Sequence, residues 1–204
     1  MDLEHAKHIF EALYSDVNGY EISHKARRNM PFYDQAHTYG EVTIDEFYEM
    51  IKQVKPQSTD VFYDLGSGSG KAVIAASLIF PFKKCVGIEF IEDLANASQR
   101  VLYRYQTEHK AVFSHRPDHE VSFVHGDFVH TPWDDADVVF IHATCFYPEL
   151  MASVERKLRQ LKQGARVIVV TKPLEAEGYF HLIKQQEHAF SWGRSTVFFY
   201  ERAE

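Results

Sequence analysis

Residues 61–71 of the chain read VFYDLGSGSGK. The first half is mostly apolar and predicts a buried strand, and the three glycines that follow predict a sharp turn with positive φ. A helix is expected over residues 71–80, so its N-terminal amides point into the turn. A strand, a glycine loop and a helix in this order are typical of an α/β protein that binds a nucleotide-like ligand at the loop.

The glycines are spaced G-x-G-x-G, and Asp64 lies two residues before the first of them. A dinucleotide-binding loop has the longer spacing G-x-G-x-x-G, which suits a pyrophosphate. The shorter spacing with its acid resembles the first motif of class I S-adenosylmethionine methyltransferases. In those enzymes the acid lies near the ligand's amino group, and the glycine backbone follows its methionine part. The alternative interpretation is a tight turn between a strand and a helix that binds no ligand.

The composition is that of one globular domain. The chain has 204 residues, of which 45% are hydrophobic and 25% charged, and its net charge is −7. An acidic chain argues against stable nucleic-acid binding, because phosphate contacts need clustered Lys and Arg. The one basic cluster, Lys25-Ala26-Arg27-Arg28, is interpreted either as a solvated charge run or as a contact for an acidic surface.

Cysteine and histidine usage indicates a reducing compartment and no metal site. Cys85 and Cys145 have neither a paired framework nor a metal-binding spacing. His115 and His119 stand four apart, but in a polar segment around Pro117 where a solvated surface is expected. The N-terminus has no targeting pattern, and the apolar stretches are too short to span a membrane. We therefore expect a cytoplasmic protein with no membrane partner.

Strands and helices alternate along the rest of the chain. A helix is predicted at 3–14, a long aromatic loop at 20–42, and a helix that opens with a capping box at Thr43 and Glu46. Strands are predicted at 61–65, 85–89, 121–124, 137–143 and 166–171, helices at 71–80, 92–109 and 149–161, and a hairpin at 187–190 and 196–200. Runs that are apolar on both faces indicate a parallel sheet covered by helices on each side, so the fold class is a doubly wound α/β sheet.

Polar residues follow the predicted strands at the edge where such sheets bind ligands. Glu89 closes the second strand, where a carboxylate can accept hydrogen bonds from both hydroxyls of a ribose. Asp127 and Phe128 follow the third strand and suit an adenine amino group and ring, and His142 ends the fourth. A solvated acid, a turn aspartate and a core phenylalanine are the corresponding alternatives.

Several motifs together resemble the non-SET histone-lysine methyltransferases of the disruptor-of-telomeric-silencing type, over residues 39–200. The motifs are Tyr39-Gly40-Glu41, the loop 64–70, Ile88-Glu89, Gly126-Asp127-Phe128, Phe146 with Pro148-Glu149, and Thr171-Lys172-Pro173. The resemblance implies a Rossmann-like seven-stranded sheet, mostly parallel with a C-terminal antiparallel hairpin. It implies an N-terminal helix and cofactor-covering loop at 1–42 and a methyltransferase domain at 43–204.

By the same resemblance the cofactor is S-adenosylmethionine and the partner is a protein with a lysine acceptor. The cofactor-binding residues that it implies are Tyr39, Gly40, Glu41, Asp64, Gly66, Ser67, Gly68, Gly70, Lys71, Glu89, Asp127 and Phe128.

The chain departs from the family at the methyl-transfer site. His142 stands where the family has an asparagine, and Lys71 replaces a glutamine. A family tyrosine that lines the lysine channel falls near Phe198, where the alignment slips by a residue. The family's basic DNA-binding segment is missing, unless Lys25, Arg27 and Arg28 take its place. The candidate catalytic residues are His142, Phe146 and Phe198, with His142 orienting the nucleophile, relaying its proton or only filling the space of the asparagine.

Other functions remain open. A segment 20–42 that seals the pocket as a lid would favour a small-molecule methyltransferase, whereas a narrow channel lined by Phe32, Tyr33 and Phe146 would favour a protein side chain. A cofactor-binding accessory protein without catalysis is a third interpretation. A nicotinamide oxidoreductase is disfavoured by the glycine spacing.

Overall fold

A seven-stranded sheet forms the centre of the protein, whose computed structural model describes residues 2–31, 34–114, 116, 118–175 and 178–203. The strands are β1 Val61–Leu65, β2 Lys84–Glu89, β3 Glu120–His125, β4 Val138–His142, β5 Arg166–Val170, β6 Phe180–Phe190 and β7 Gly193–Arg202. Their order across the sheet is β3-β2-β1-β4-β5-β7-β6. Strands β1 to β5 run parallel, and β7 lies antiparallel to both β5 and β6. The predicted fold class, a mostly parallel sheet with a C-terminal hairpin, is confirmed.

Helices cover both faces of this sheet. They are α1 Leu3–Tyr14, α2 Gly19–Arg28, α3 Ile44–Ile51, α4 Lys71–Ile79, α5 Glu92–Glu108, α6 Lys110–Phe113 and α7 Pro148–Leu158. Strand residues alternate between two cores: Val138 and Phe140 pack under α1, α3 and α4, whereas Val139 and Ile141 pack against α7. Burial on both faces explains why β4 is continuously apolar. No helix in the described part of the chain has the length and apolar character needed to cross a membrane.

The segment predicted as a long loop at 20–42 contains a helix, so this prediction was wrong for its first third. The side chain of Asn18 caps α2 by accepting a hydrogen bond from the amide of Glu21 (3.1 Å). Ala26 is buried against Ile91 and Leu94 at the start of α5. The buried side of α2 consists of small residues, which hides the helical periodicity from a search for large apolar side chains.

The C-terminal hairpin is longer than predicted. The sequence pattern missed most of β6 because its side chains are largely polar and exposed and do not alternate with apolar ones. Strand β6 is held by its partner strand β7, with Gln185 opposite Phe198 and Leu182 opposite Tyr200.

The environment predicted for His119 was also wrong. The residue is buried rather than solvated, and its ring bonds to the hydroxyl of Ser77 (2.7 Å) and to the carbonyl of Phe82 (2.8 Å).

The strand order reverses between β1 and β4, and the site lies at the carboxyl ends of the strands on either side of this point. Gly70 starts α4 there with φ of 86°. A Cβ added at Gly70 would lie 2.5 Å from the ring of Phe123 and 3.0 Å from the Cβ of Ser98. Helix α4 thus approaches β3 and α5 at a distance that only glycine permits.

Gly70→Ala should destabilise the protein more than Gly164→Ala, although both positions have positive φ (86° and 76°). Both variants lose about 1–2 kcal/mol to the left-handed conformation. Only Gly70→Ala adds a steric clash, which costs about 1–3 kcal/mol more, because nothing lies within 4 Å of a Cβ at Gly164. Urea unfolding of the two variants measures the difference. Equal losses would show that the contact with Phe123 relaxes without cost.

Candidate functional site

The glycine loop is held against the end of β2. The amides of Gly66 and Ser67 both donate to the carbonyl of Ile88, at 2.9 and 3.0 Å. Gly66, Gly68 and Gly70 have φ of 85°, 55° and 86°, which explains why glycine occupies each position. The loop therefore presents bare backbone to the cavity in front of it.

Tyr39 lies on top of this loop. A Cβ on Gly68 would lie 2.5 Å from the ring of Tyr39, so the ring and the loop backbone are in direct contact. The Tyr39 hydroxyl donates to Glu41 (2.7 Å) and shares a hydrogen bond with Ser69 Oγ (2.8 Å). Burial and the Glu41 carboxylate raise the pKa of Tyr39 well above its usual range, so it is a hydroxyl donor at neutral pH. The Tyr-Gly-Glu segment is thus fastened to the glycine loop.

A second bond joins the same segment to α4. Lys71 Nζ lies 2.6 Å from Glu41 Oε2, with both side chains mostly buried, and 5.4 Å from the ring centre of Tyr14. The lysine that replaces the family's glutamine therefore has a defined partner. Glu41 accepts from both Tyr39 and Lys71 and connects residues 36–41, called the covering segment below, to the first residue of α4.

Two buried acids lie under the loop. Glu89 accepts hydrogen bonds from the amides of Gly68 and Ile91, both at 2.7 Å. Burial raises the pKa of Glu89, although these amides oppose the shift. Asp64 is 3% exposed, and burial together with the nearby Glu89 raises its pKa to about 8. The pair creates a site that favours a cationic ligand, because a positive charge would stabilise both carboxylates.

A cavity of about 380 Å³ is lined by Asp127, Phe128 and Phe146, and a smaller cavity that shares Phe128 and Phe146 is lined by Glu89. The rings of Phe128 and Phe146 stack with centroids 5.6 Å apart, so Phe146 belongs to the predicted site. The carboxylate of Asp127 accepts from the amide of Val129 (2.8 Å) and pairs with His130 (2.9 Å). These bonds orient Asp127 at the rim of the cavity.

His37 and Phe90 are among the lining residues that the sequence analysis missed. His37 and Phe90 stack with centroids 4.9 Å apart, and both line the same cavity. His37 Nδ1 is buried and has no hydrogen-bond partner in the described ranges. The position of Phe90 directly after Glu89 was the available signal. His37 lies in a 3₁₀ turn whose approach to β2 depends on the tertiary fold.

His142 lines the smaller cavity beside Glu89 and meets two rings from the hairpin. Its ring lies perpendicular to that of Trp192 (4.5 Å between centroids) and 5.8 Å from that of Phe190. Burial lowers the pKa of His142 to about 4, so the imidazole is neutral at pH 7. Its Nε2 is buried and has no hydrogen-bond partner within the described residues. A Cβ on Gly40 would lie 2.9 Å from Trp192, so the covering segment also reaches these rings.

Phe198 is not part of this site, which corrects the prediction that it is catalytic. It lines a separate cavity of about 350 Å³ with Pro173, Leu174 and Tyr200. Side chains along β7 alternate between the two faces of the sheet. Val197 and Phe199 face the core under α4, whereas Phe198, between them, faces the opposite side.

Three residues of the sequence predictions lie outside the described residues. They are Phe32 and Tyr33, expected to line a channel, and His115, considered for a metal site. Within the described ranges, His, Cys, Asp and Glu form no group of three or more that could hold a metal ion.

Asp64→Asn should change how stability depends on pH. The pKa of Asp64 is about 8 in the folded protein, against about 3.9 in an unfolded chain. The folded state binds more protons between these values, so the contribution of Asp64 to stability is complete below about pH 4 and is lost as the pH rises toward 8. The variant should therefore gain stability relative to the wild type between about pH 5 and about pH 8 in urea unfolding.

Asp134→Asn, at an exposed acid, is the control for the loss of one carboxylate. If Asp64→Asn and the wild type differed in stability by the same amount at about pH 5 and about pH 8, the raised pKa of Asp64 would be contradicted.

Residues 23–200 of the chain match the family described as "Histone methylation protein DOT1". Among curated relatives, the H3 lysine-79-specific histone-lysine N-methyltransferase of Caenorhabditis elegans is 28% identical over 190 residues, covering 80% of this chain and 19% of the relative. The Drosophila melanogaster enzyme of the same name is 30% identical over 136 residues, covering 64% of this chain and 7% of the relative. The chain thus spans a fifth or less of the length of these two relatives.

Solved structures share the fold. An RNA methyltransferase from Salinibacter ruber, in complex with S-adenosyl-L-homocysteine, superposes with a TM-score of 0.60 at 24% identity, covering 80% of this chain and 94% of that one. The M1A22 tRNA methyltransferase TrmK of Bacillus subtilis gives 0.58 at 14% identity, covering 82% and 68%. The sheet order and the match over residues 23–200 lead to one conclusion: the chain belongs to the DOT1 family of histone methylation proteins and has the Rossmann-like fold of methyltransferases.

Proposed function

We propose that the chain is an S-adenosylmethionine-dependent protein-lysine N-methyltransferase. The observation that carries the proposal is one continuous row of groups across the carboxyl ends of β1 to β4. Asp127 with Phe128, Glu89, Asp64 and finally His142 follow each other along this edge. The covering segment 36–41 contacts the row at both ends.

The residues fit the proposed cofactor. Phe128 and Asp127 suit the adenine ring and its amino group, and Glu89 suits the ribose hydroxyls. The bare glycine backbone, with Asp64 beside it, suits the methionine part, whose ammonium group offsets the buried carboxylate. Bound there, S-adenosylmethionine supplies a methyl group on a cationic sulfur. The chain's own residues must orient the acceptor and exclude water.

His142 and the hairpin rings provide the acceptor end. A lysine has a pKa of about 10.4 in water and must lose its proton before it can attack, and desolvation between aromatic rings lowers that pKa. The neutral imidazole of His142 can accept a hydrogen bond from the incoming amine through its unpartnered Nε2. Trp192 holds the imidazole in place by its perpendicular contact. Alignment of the amine with the methyl group then accounts for most of the rate.

A lysine in a basic protein is the proposed acceptor. The curated relatives carry the name of H3 lysine-79-specific enzymes, and the net charge of −7 suits a basic partner rather than nucleic acid. Cys85 and Cys145 are both free thiols, which supports the reducing, cytoplasmic location that the sequence predicts. The contact of Tyr39 with the loop is also compatible with a lid over a small acceptor, which defines the alternative outcome of the test below.

Incubation with methyl-labelled S-adenosylmethionine should label lysine residues of a basic protein such as a purified histone. Glu89→Gln should reduce labelling at least tenfold, because a hydrogen bond to a charged group contributes about 1.5–3 kcal/mol. Glu120→Gln, at an exposed acid on β3, is the matched control and should label at the wild-type rate. Mass spectrometry identifies the modified residue. Label found only in small molecules would refute the lysine acceptor, and cofactor binding without any transfer would refute the enzyme.

His142→Asn should retain methyl transfer within a few fold, whereas His142→Phe should lose roughly tenfold or more in kcat/KM for the acceptor. Asparagine keeps a hydrogen-bond acceptor at this position, and phenylalanine keeps only the aromatic packing against Trp192. Because the pKa of His142 is about 4, this residue stays neutral between about pH 6 and about pH 8, and its protonation should not lower the wild-type rate in that range. Steady-state kinetics at fixed cofactor concentration tests both points, and equal activity of the two variants would show that His142 only fills space.

A further inference from the structure

Thr171 has an unusual backbone conformation. It follows β5 directly and has φ of 75°, in the left-handed region that β-branched residues rarely adopt. Such a conformation persists only where surrounding contacts impose it, and it is frequent at functional sites. A glycine would take the same φ without strain. A reason for threonine at this position must therefore come from its side chain.

The Thr171 hydroxyl joins three segments of the chain. It hydrogen-bonds to Thr144 Oγ1 in the loop after β4 (2.8 Å) and to Ser195 Oγ on β7 (2.6 Å). The amide of Thr171 donates to the carbonyl of Thr196 (2.8 Å), which fixes the backbone beside β7. With an ordinary negative φ, the Thr171 side chain would leave the backbone in a different direction from the one that reaches Thr144 and Ser195. The strained backbone and the two hydroxyl bonds thus belong to one arrangement.

Both tethered segments carry rings of the acceptor end. Thr144 lies midway between His142 and Phe146, and Ser195 is three residues beyond Trp192. Lys172 Nζ adds a further bond by donating to the carbonyl of Phe146. The end of β5 therefore holds the β4 loop and the hairpin tip at a fixed separation, although Thr171 itself lines neither of the two cavities that His142 lines.

We propose that Thr171 is a positioning residue for the acceptor site. Its hydroxyl holds the His142 and Phe146 loop against the Trp192 hairpin, so that the rings converge on the place where the acceptor amine is methylated. The inference rests on the proposed methyl transfer, since the acceptor defines the role. The cofactor groups Asp64 and Glu89 belong to β1 and β2 and do not depend on this tether.

The first test is independent of activity. Trp133 is 1% exposed and Trp192 is 40% exposed, so acrylamide quenching of tryptophan fluorescence reports mainly on Trp192. Thr171→Val keeps the β-branched shape but removes the hydroxyl, and it should increase quenching by roughly twofold. Thr171→Ser keeps the hydroxyl and should match the wild type. Thr107→Val, on the exposed side of α5, is the control for the substitution itself.

The second test uses kinetics. Thr171→Val should lower kcat/KM for the acceptor roughly tenfold or more, since small displacements of reacting groups are costly, and should change the Kd of S-adenosylmethionine by less than about twofold. Thr171→Ser should restore the rate. Thr171→Gly should unfold at a higher urea concentration than Thr171→Val and yet remain as slow, because it relieves strain without replacing the hydroxyl.

The outcomes separate the two proposals. Wild-type quenching in Thr171→Val, or wild-type acceptor kinetics with unchanged cofactor binding, would overturn the positioning role. If the wild-type protein transfers no methyl group to any protein, the proposed function fails, while the quenching result still decides whether the tether holds Trp192. Should Thr171→Val not fold, Ser195→Ala removes one of the two hydroxyl bonds and is expected to show the same changes at smaller size.

Discussion

The hydrogen bond from the Gly68 amide to the Glu89 carboxylate (2.7 Å) is the contact on which the rest of the site depends. It joins the glycine loop after β1 to the end of β2, beside the point between β1 and β4 where the strand order reverses. The other Glu89 oxygen accepts from the Ile91 amide and fixes the start of α5. One buried side chain therefore sets the positions of the loop, the strand end and the next helix, and Tyr39 can then pack on a loop of defined shape.

The cost of this arrangement is electrostatic. Glu89 and Asp64 are both buried, which raises the pKa of each, and the Glu89 carboxylate further disfavours ionisation of Asp64. Amide donors offset part of the cost for Glu89, but the shift of Asp64 remains large. A ligand with an ammonium and a sulfonium group would offset the remainder, so the buried acids favour a cationic ligand. A third acid, Glu41, forms an ion pair with Lys71 at the edge of the same site.

The sequence predicted the parallel half of the sheet well, because β1, β2, β4 and β5 are buried on both faces and read as apolar runs. It also located the groups at the strand ends, since the carboxyl ends of parallel strands meet at one edge. It failed where burial is one-sided or depends on small residues. Helix α2 packs through Ala26, and the outer part of β6 is stabilised by pairing with β7 rather than by its own side chains.

The acceptor end could not be predicted in the same way, because it is assembled from segments far apart in sequence whose register only the folded chain defines. Phe199 on β7 faces the core under α4, whereas Phe198, one residue earlier, faces the cavity at Pro173. A one-residue change in register exchanges the two faces, so the motif alone could not choose between these residues. Trp192 approaches His142 only because the hairpin turn places it there. In the proposed enzyme, cofactor binding relies on local motifs at strand ends, whereas acceptor geometry relies on long-range tethers such as Thr171 with Ser195. Acceptor specificity can consequently change through the hairpin and its tethers while the glycine loop and Glu89 stay the same.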